Sequence, residues 1–171
     1  MLGRVLGLVA GLTGAAAFSQ FPEYSQQYVQ RLGGAVDELD RFVAEFDADA
    51  AKLNLSRAEA LTDLEQGGAM GAARAETLRG TLIRYDRLRA DLAAVRSAGP
   101  FTRAYHAARF SDPEIARAAW ADYKPAMPLT FEGAVFGGTG FLAGLGGIAA
   151  VWALVRLIFL RRKPRAIANK A

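Results

Sequence analysis

Three hydrophobic patterns follow one another along the chain. Between Glu132 and Arg156 lie 23 residues without a charge, GAVFGGTGFLAGLGGIAAVWALV. As a helix that run spans about 34 Å, against about 30 Å for the hydrocarbon core of a bilayer. A core helix of a water-soluble domain rarely needs so long an uncharged stretch. Residues 131–160 are therefore expected to form a transmembrane helix, followed by a basic tail over 161–171. A second apolar stretch runs from Leu2 to Phe21. Arg4 precedes Val5-Leu6-Gly7-Leu8-Val9-Ala10-Gly11-Leu12, and Ala15-Ala16-Ala17 follows. This pattern fits either a signal peptide cleaved after Ala17 or a retained first span over 2–21, short enough to require some local bilayer thinning.

Glycine spacing favours the retained span. Gly3, Gly7 and Gly11 fall at i, i+4 and i+8, on one helical face. Gly133, Gly137, Gly140, Gly144 and Gly147 step by four, three, four and three. Small residues at this spacing let helices approach closely in lipid. In lipid the backbone hydrogen bonds have no solvent competitor, so a helix this rich in glycine persists. The expectation is a helix-packing seam for the other span, a second copy or another protein. Phe136, Phe141, Leu142, Leu145, Trp152 and Leu154 would lie off the seam, toward lipid.

The third pattern occupies residues 22–130. Tyr24, Tyr28, Leu32, Val36, Leu39, Val43 and Phe46 recur at steps of three and four, with charges between them, which predicts a long amphipathic helix. Ser56 and Glu59 form a capping box that starts a helix of about ten residues, closed by Gly67-Gly68. A third helix is expected from about Ala69 to Ser97, with Leu78, Leu82, Tyr85, Leu88, Leu92 and Val95 on one face. The first and third helices are long enough to pair as an antiparallel, coiled-coil-like hairpin. Gly99-Pro100 stops the third. Phe101–Phe110 reads as a short helix, and Asp112-Pro113-Glu114 as the capped start of another. Lys124-Pro125-Ala126-Met127-Pro128 reads as a stiff connector. No run alternates with period two, so the fold is expected to be all-α, two transmembrane helices flanking a helical domain.

Charge changes the picture in one respect. The net charge of +4 conceals a central segment, 22–130, with 14 Lys+Arg and 16 Asp+Glu. The basic excess sits toward the two ends. A nucleic-acid protein would carry it on the folded domain, so no nucleic-acid partner is expected. Arg161, Arg162 and Lys163 after the second span follow the cytoplasmic enrichment of basic residues, and Arg156 can snorkel to the headgroups. With two spans, both termini would be cytoplasmic and the central domain periplasmic. Phe21, Tyr24 and Tyr28 at the end of the first span suggest a membrane-interface belt.

Catalytic chemistry finds little to stand on. There is no cysteine and a single histidine, His106. The carboxylate pairs Asp47/Asp49 and Asp37/Glu38 do not share a helix face. Asp37/Arg41 and Asp86/Arg89 read as surface ion pairs. Gly67-Gly68-Ala69-Met70-Gly71 lacks the lysine of a phosphate-binding loop. No catalytic residue, cofactor or metal ligand is assigned, and an enzyme is not expected.

Residues 19–39, SQFPEYSQQYVQRLGGAVDEL, resemble the signature of a family of proteobacterial membrane proteins catalogued as a domain of unknown function. The order of parts is similar over nearly the whole chain: apolar N-terminus, SQFPE-type segment, helical middle, glycine-rich span. The resemblance implies an inner-membrane protein and brings no activity. The function expected is that of a membrane-anchored helical accessory or scaffold protein. Its partners would be the lipid bilayer and either itself, as a homo-oligomer, or a larger membrane complex. The alternative is a small oligomeric channel or transport-associated component.

Overall fold

The structure, a computed structural model, describes residues 2–123, 125 and 130–160. It is all-helical, with 89% helix and no strand among the described residues. The helices are α1 (Leu2–Ser19), α2 (Phe21–Lys52), α3 (Arg57–Gln66), α4 (Gly68–Val95), α5 (Pro100–Tyr105), α6 (Pro113–Asp122) and α7 (Phe131–Leu160). A 3₁₀ turn at Ala107–Arg109 follows α5, so 101–110 is two short pieces rather than one helix, broken at His106. Most of the expected connector 124–128 and the whole tail 161–171 lie outside the described residues. The chain divides into two compact units, Met1–Pro22 with Pro125–Ala171, and Glu23–Lys124.

In the unit Glu23–Lys124, the burial follows the three- and four-residue steps of the sequence. Tyr28, Leu32, Val36 and Val43 of α2 meet Leu78, Leu82, Tyr85, Leu88, Leu92 and Val95 of α4, with Ile115 and Ala119 of α6 joining them. Burying each Leu or Val side chain contributes about 1.5–3 kcal/mol. The pairing is antiparallel: the Tyr85 hydroxyl donates to Asp40, while residues 46–50 of α2 lie beside Arg74 and Leu78. Gly33 and Gly34 lie within α2, which continues through them.

Local chemistry sets the ends. Ser56 accepts from Glu59 N–H, and the Glu59 carboxylate accepts from Ser56 N–H, closing the capping box of α3. Gly68, the first residue of α4, takes φ +80°, a conformation that L side chains rarely adopt. On the surface Arg41 pairs with Glu38 rather than Asp37. The Arg89 guanidinium lies over the Tyr85 ring, 5.9 Å from its centroid, rather than with Asp86.

One buried polar joint ties α2, α4 and α6 together. Asp112, only 2% exposed, caps α6 by accepting from Glu114 and Ile115 N–H at 3.1 and 3.2 Å. Arg84 donates to both its oxygens, at 3.2 and 3.3 Å, and Arg87 adds a third bond at 3.1 Å. Its own N–H donates to the Tyr28 hydroxyl at 3.2 Å. Asp91, also buried, is held by Arg109 at 3.0 Å. Burial alone would raise the Asp112 carboxyl; the bonds from Ile115 N–H and Arg84 outweigh it and hold the group below its ordinary value.

A carboxyl depressed in the folded state stabilises the fold above its unfolded pKa, and that stability is lost as pH falls through the folded value. Asp112→Ala is expected to cost about 2–3 kcal/mol. The cap accounts for about 1; the rest lies below the 3–5 of a fully buried pair because both arginines keep solvent. Asp112→Asn keeps a cap acceptor without the charge. Thermal unfolding by circular dichroism of the full chain in nonionic detergent should show wild type losing stability below about pH 4, from the ordinary 3.8 downward, and Asp112→Asn losing distinctly less over that range.

Candidate functional site: the glycine contact of α1 and α7

In the other unit the relation between size and burial is reversed. Among the described residues, the buried positions of α1 and α7 are Gly7, Gly11, Gly133 and Gly140. Val5, Leu8, Val9 and Leu12 on α1, and Leu142, Val151, Trp152, Leu154, Leu157 and Ile158 on α7, are at least half exposed. The helical stretch Gly3–Lys52, which opens with α1, and Phe131–Ile158 of α7 are each long and apolar enough to cross a membrane, by length and composition alone.

The two helices run antiparallel and meet backbone to backbone. A Cβ built on Gly140 would run into the Gly14 carbonyl and lie 2.6 Å from Phe18 Cβ. One on Gly144 would run into the Ala10 carbonyl, and one on Gly14 into that of Gly140. Backbone cannot turn aside, so these three positions admit hydrogen alone. Gly11 is less strict, because its Cβ would meet the Phe141 ring at 2.6 Å, and a ring can turn. A Cβ on Gly7 would meet Leu145 at 3.6 Å, and one on Gly137 would meet Ser19 Cβ at 3.5 Å, both ordinary contacts. Gly133 sits in the first turn of α7 and donates to Thr130 Oγ1 at 3.1 Å. Gly3 and Gly147 have nothing within 4 Å of their Cβ positions.

The contact thus brings together Gly7, Gly11, Gly137, Gly140 and Gly144, and leaves Gly3 and Gly147 outside. The essential residue that sequence reasoning missed is Gly14. Its signal was present: Gly3, Gly7, Gly11 and Gly14 step by four, four and three, the rhythm already recognised in the C-terminal series. Phe141 and Leu145, expected to face lipid, instead cover Gly11 and Gly7, because a helix with no side chains on its contact face leaves room for its partner's.

The expected interface residues fall in several environments. Phe21 is half-buried, its ring 5.3 Å from Phe136. Tyr24 stands edge-on to Trp120 and Tyr123, at 6.0 and 6.2 Å. Tyr28 is no belt residue: it is 1% exposed, its ring is 4.7 Å from Phe110, and burial pushes its hydroxyl pKa up. It lies on the same stripe as Leu32 and Val36, which carries it into the core. Arg156 is exposed on α7. Arg161, Arg162 and Lys163 lie outside the described residues. His106 caps the end of α5, its ring 5.2 Å from that of Tyr105.

The model of a family described as "Protein of unknown function (DUF2937)" matches residues 2–163. No curated protein and no solved structure matches the chain.

The close approach is directly testable because the chain has no cysteine of its own. Cβ atoms about 3.5–4.5 Å apart suit a disulfide, so the pair Ser19→Cys with Gly137→Cys should oxidise to an internal crosslink, seen as a shift in non-reducing electrophoresis. Adding Gly140→Leu should abolish the shift by forcing the backbones apart.

Proposed function

We propose that this chain, which belongs to the DUF2937 family, is a membrane-anchored helical scaffold or accessory protein acting through protein–protein contacts. One observation carries the reading: α1 and α7 bury glycine faces against each other and turn most of their large apolar side chains outward. In water that surface would far exceed the few hundred Å² of apolar patch that monomeric proteins expose. In a bilayer it is matched to its solvent, and close packing of small residues supplies the association that the hydrophobic effect cannot. The same contact supports retention of α1 rather than cleavage after Ala17, since removal would strip Gly140 and Gly144 of their partner.

The basic residues Arg161, Arg162 and Lys163 support a cytoplasmic C-terminus. Two spans then return the N-terminus to the cytoplasm and put residues 23–124 on the periplasmic side of a bacterial inner membrane. That unit contributes a helical surface rather than a reaction centre. Self-association, or docking on a larger membrane complex, would use the α7 face that α1 leaves uncovered, where Thr139, Ala143, Gly146 and Ala150 are exposed. The channel alternative lacks a polar stripe: the Thr139 hydroxyl donates to Val135 O of its own helix, at 2.9 Å.

The full chain is expected to sediment with membranes through carbonate washing and to be released by detergent. Met70→Cys, at an 81% exposed position, should react with an impermeant maleimide in cells with a permeabilised outer membrane, whereas Ala168→Cys should react only after lysis. Recovery of the protein in the soluble fraction would overturn the anchor; protection of Met70→Cys would overturn the orientation.

A further inference from the structure

Large apolar side chains are exposed at several points of residues 23–124, among them Met70, Ile83 and Trp120, but at Leu53 the exposed side chain adjoins a cavity with carboxylates along its walls. A cavity of about 390 Å³ opens between the later turns of α2, the Leu53–Leu55 turn, α3 and the first half of α4. Its floor is apolar, formed by Phe42, Phe46, Leu55, Leu64 and Leu78. Leu53 stands at its lip, 68% exposed, beside Asn54, which takes φ 57°. The apolar surface therefore continues out of the cavity instead of ending at its mouth. Tyr24 and Tyr123, near the two chain ends of this unit, lie 6.2 Å apart. The cavity begins 18 residues along α2 from Tyr24, about 27 Å at 1.5 Å per residue.

The walls carry the charge. Glu45 and Asp49 of α2 and Asp63 of α3 line the cavity, opposed by Arg74 of α4. Over residues 42–79 there are seven carboxylates and four basic side chains. Three of those basic groups are already engaged: Lys52 by Asp49, Arg57 by Asp47 and Arg79 by Glu65. Glu45 and Asp63 have no ion-pair partner among the described residues. The carboxylates do not converge as metal ligands either.

We infer that this groove docks a basic amphipathic helix of another protein. Apolar anchors at i, i+3 or i+4, and i+7 would fill the trough and cover Leu53. Lysines or arginines flanking that stripe would face Glu45 and Asp63, giving orientation and a faster encounter. A small-molecule site would instead enclose its ligand and aim a few polar groups into it; here the polar groups stand along the edges of an open trough. The inference does not rest on the membrane reading, because every residue it uses lies within one unit.

The test uses the full chain in nanodiscs of zwitterionic lipid, with empty nanodiscs as the blank. The probe is a fluorescein-labelled peptide of about 14 residues with leucine at i, i+3, i+4 and i+7 and lysine elsewhere, compared with its glutamate counterpart. Fluorescence anisotropy should show the lysine peptide binding at least about tenfold more tightly than the glutamate peptide. Leu53→Asp should weaken it by about tenfold, and Glu45→Lys with Asp63→Lys should reverse the preference; both changes are at exposed positions, and circular dichroism checks that the helices persist. Equal affinity for the two peptides, or unchanged affinity in both variants, would overturn the assignment. So would saturable binding of dodecyltrimethylammonium with none of the lysine peptide, which would make the groove a small-amphiphile site. A chain that binds as expected yet fails the fractionation test would lose the anchor and keep the groove.

Discussion

The structure depends on a face made of hydrogen. Gly14, Gly140 and Gly144 leave no room for a single carbon, so the backbones of α1 and α7 touch. Close contact maximises dispersion and dipolar interactions between two main chains whose own hydrogen bonds are internally satisfied. That is the association available where bulky side chains find equally apolar surroundings on every side. It also fits the exposure of Val5, Leu8, Val9 and Leu12 on α1 and of Leu142, Val151 and Leu154 on α7. The glycines contribute their absence of side chain, and most of the large residues are left facing outward.

The unit Glu23–Lys124 works in the opposite sense. Leu32, Leu88 and Val95 are buried, while the charged residues of α2 and α4 lie mostly outside the core stripe. Its fold needs water on the outside, because its stability comes from removing apolar area from water. Asp112 is the polar exception that the core tolerates. Two helix N–H groups and two arginines satisfy it, so a buried charge serves as a joint between α4 and the start of α6. One chain thus carries two units of opposite surface, one with charge outside an apolar core and one with large apolar side chains outside a glycine contact. This pairing supports an anchored scaffold more directly than any side-chain constellation does.

Functional surface in such a protein is expected where a unit breaks its own rule. In Glu23–Lys124 one such break is the groove by Leu53, with an apolar floor and carboxylates along its walls. In the apolar unit it is the small-residue face of α7 that α1 does not cover. On the proposals made above, each would specify a different kind of contact: one steered by charge, one by close packing of helices.

Sequence alone determined the helical class, the two apolar helices, the amphipathic stripes of α2 and α4, and the caps at Ser56 and Asp112. All of these are local, set by period, composition and a few neighbouring side chains. Tertiary structure decided what those stripes meet. Tyr28 and Tyr24 sit four residues apart on one stripe, and only packing against Phe110 and the Asp112 N–H made the first a core residue while the second stayed half-exposed. Arg41 and Arg89 had several partners within reach, and side-chain geometry chose Glu38 and the Tyr85 ring. The rhythm that marks Gly140 marks Gly3 and Gly147 equally well. Which glycines touch depends on where two helix axes come nearest, and periodicity along one helix carries no information about the position of another.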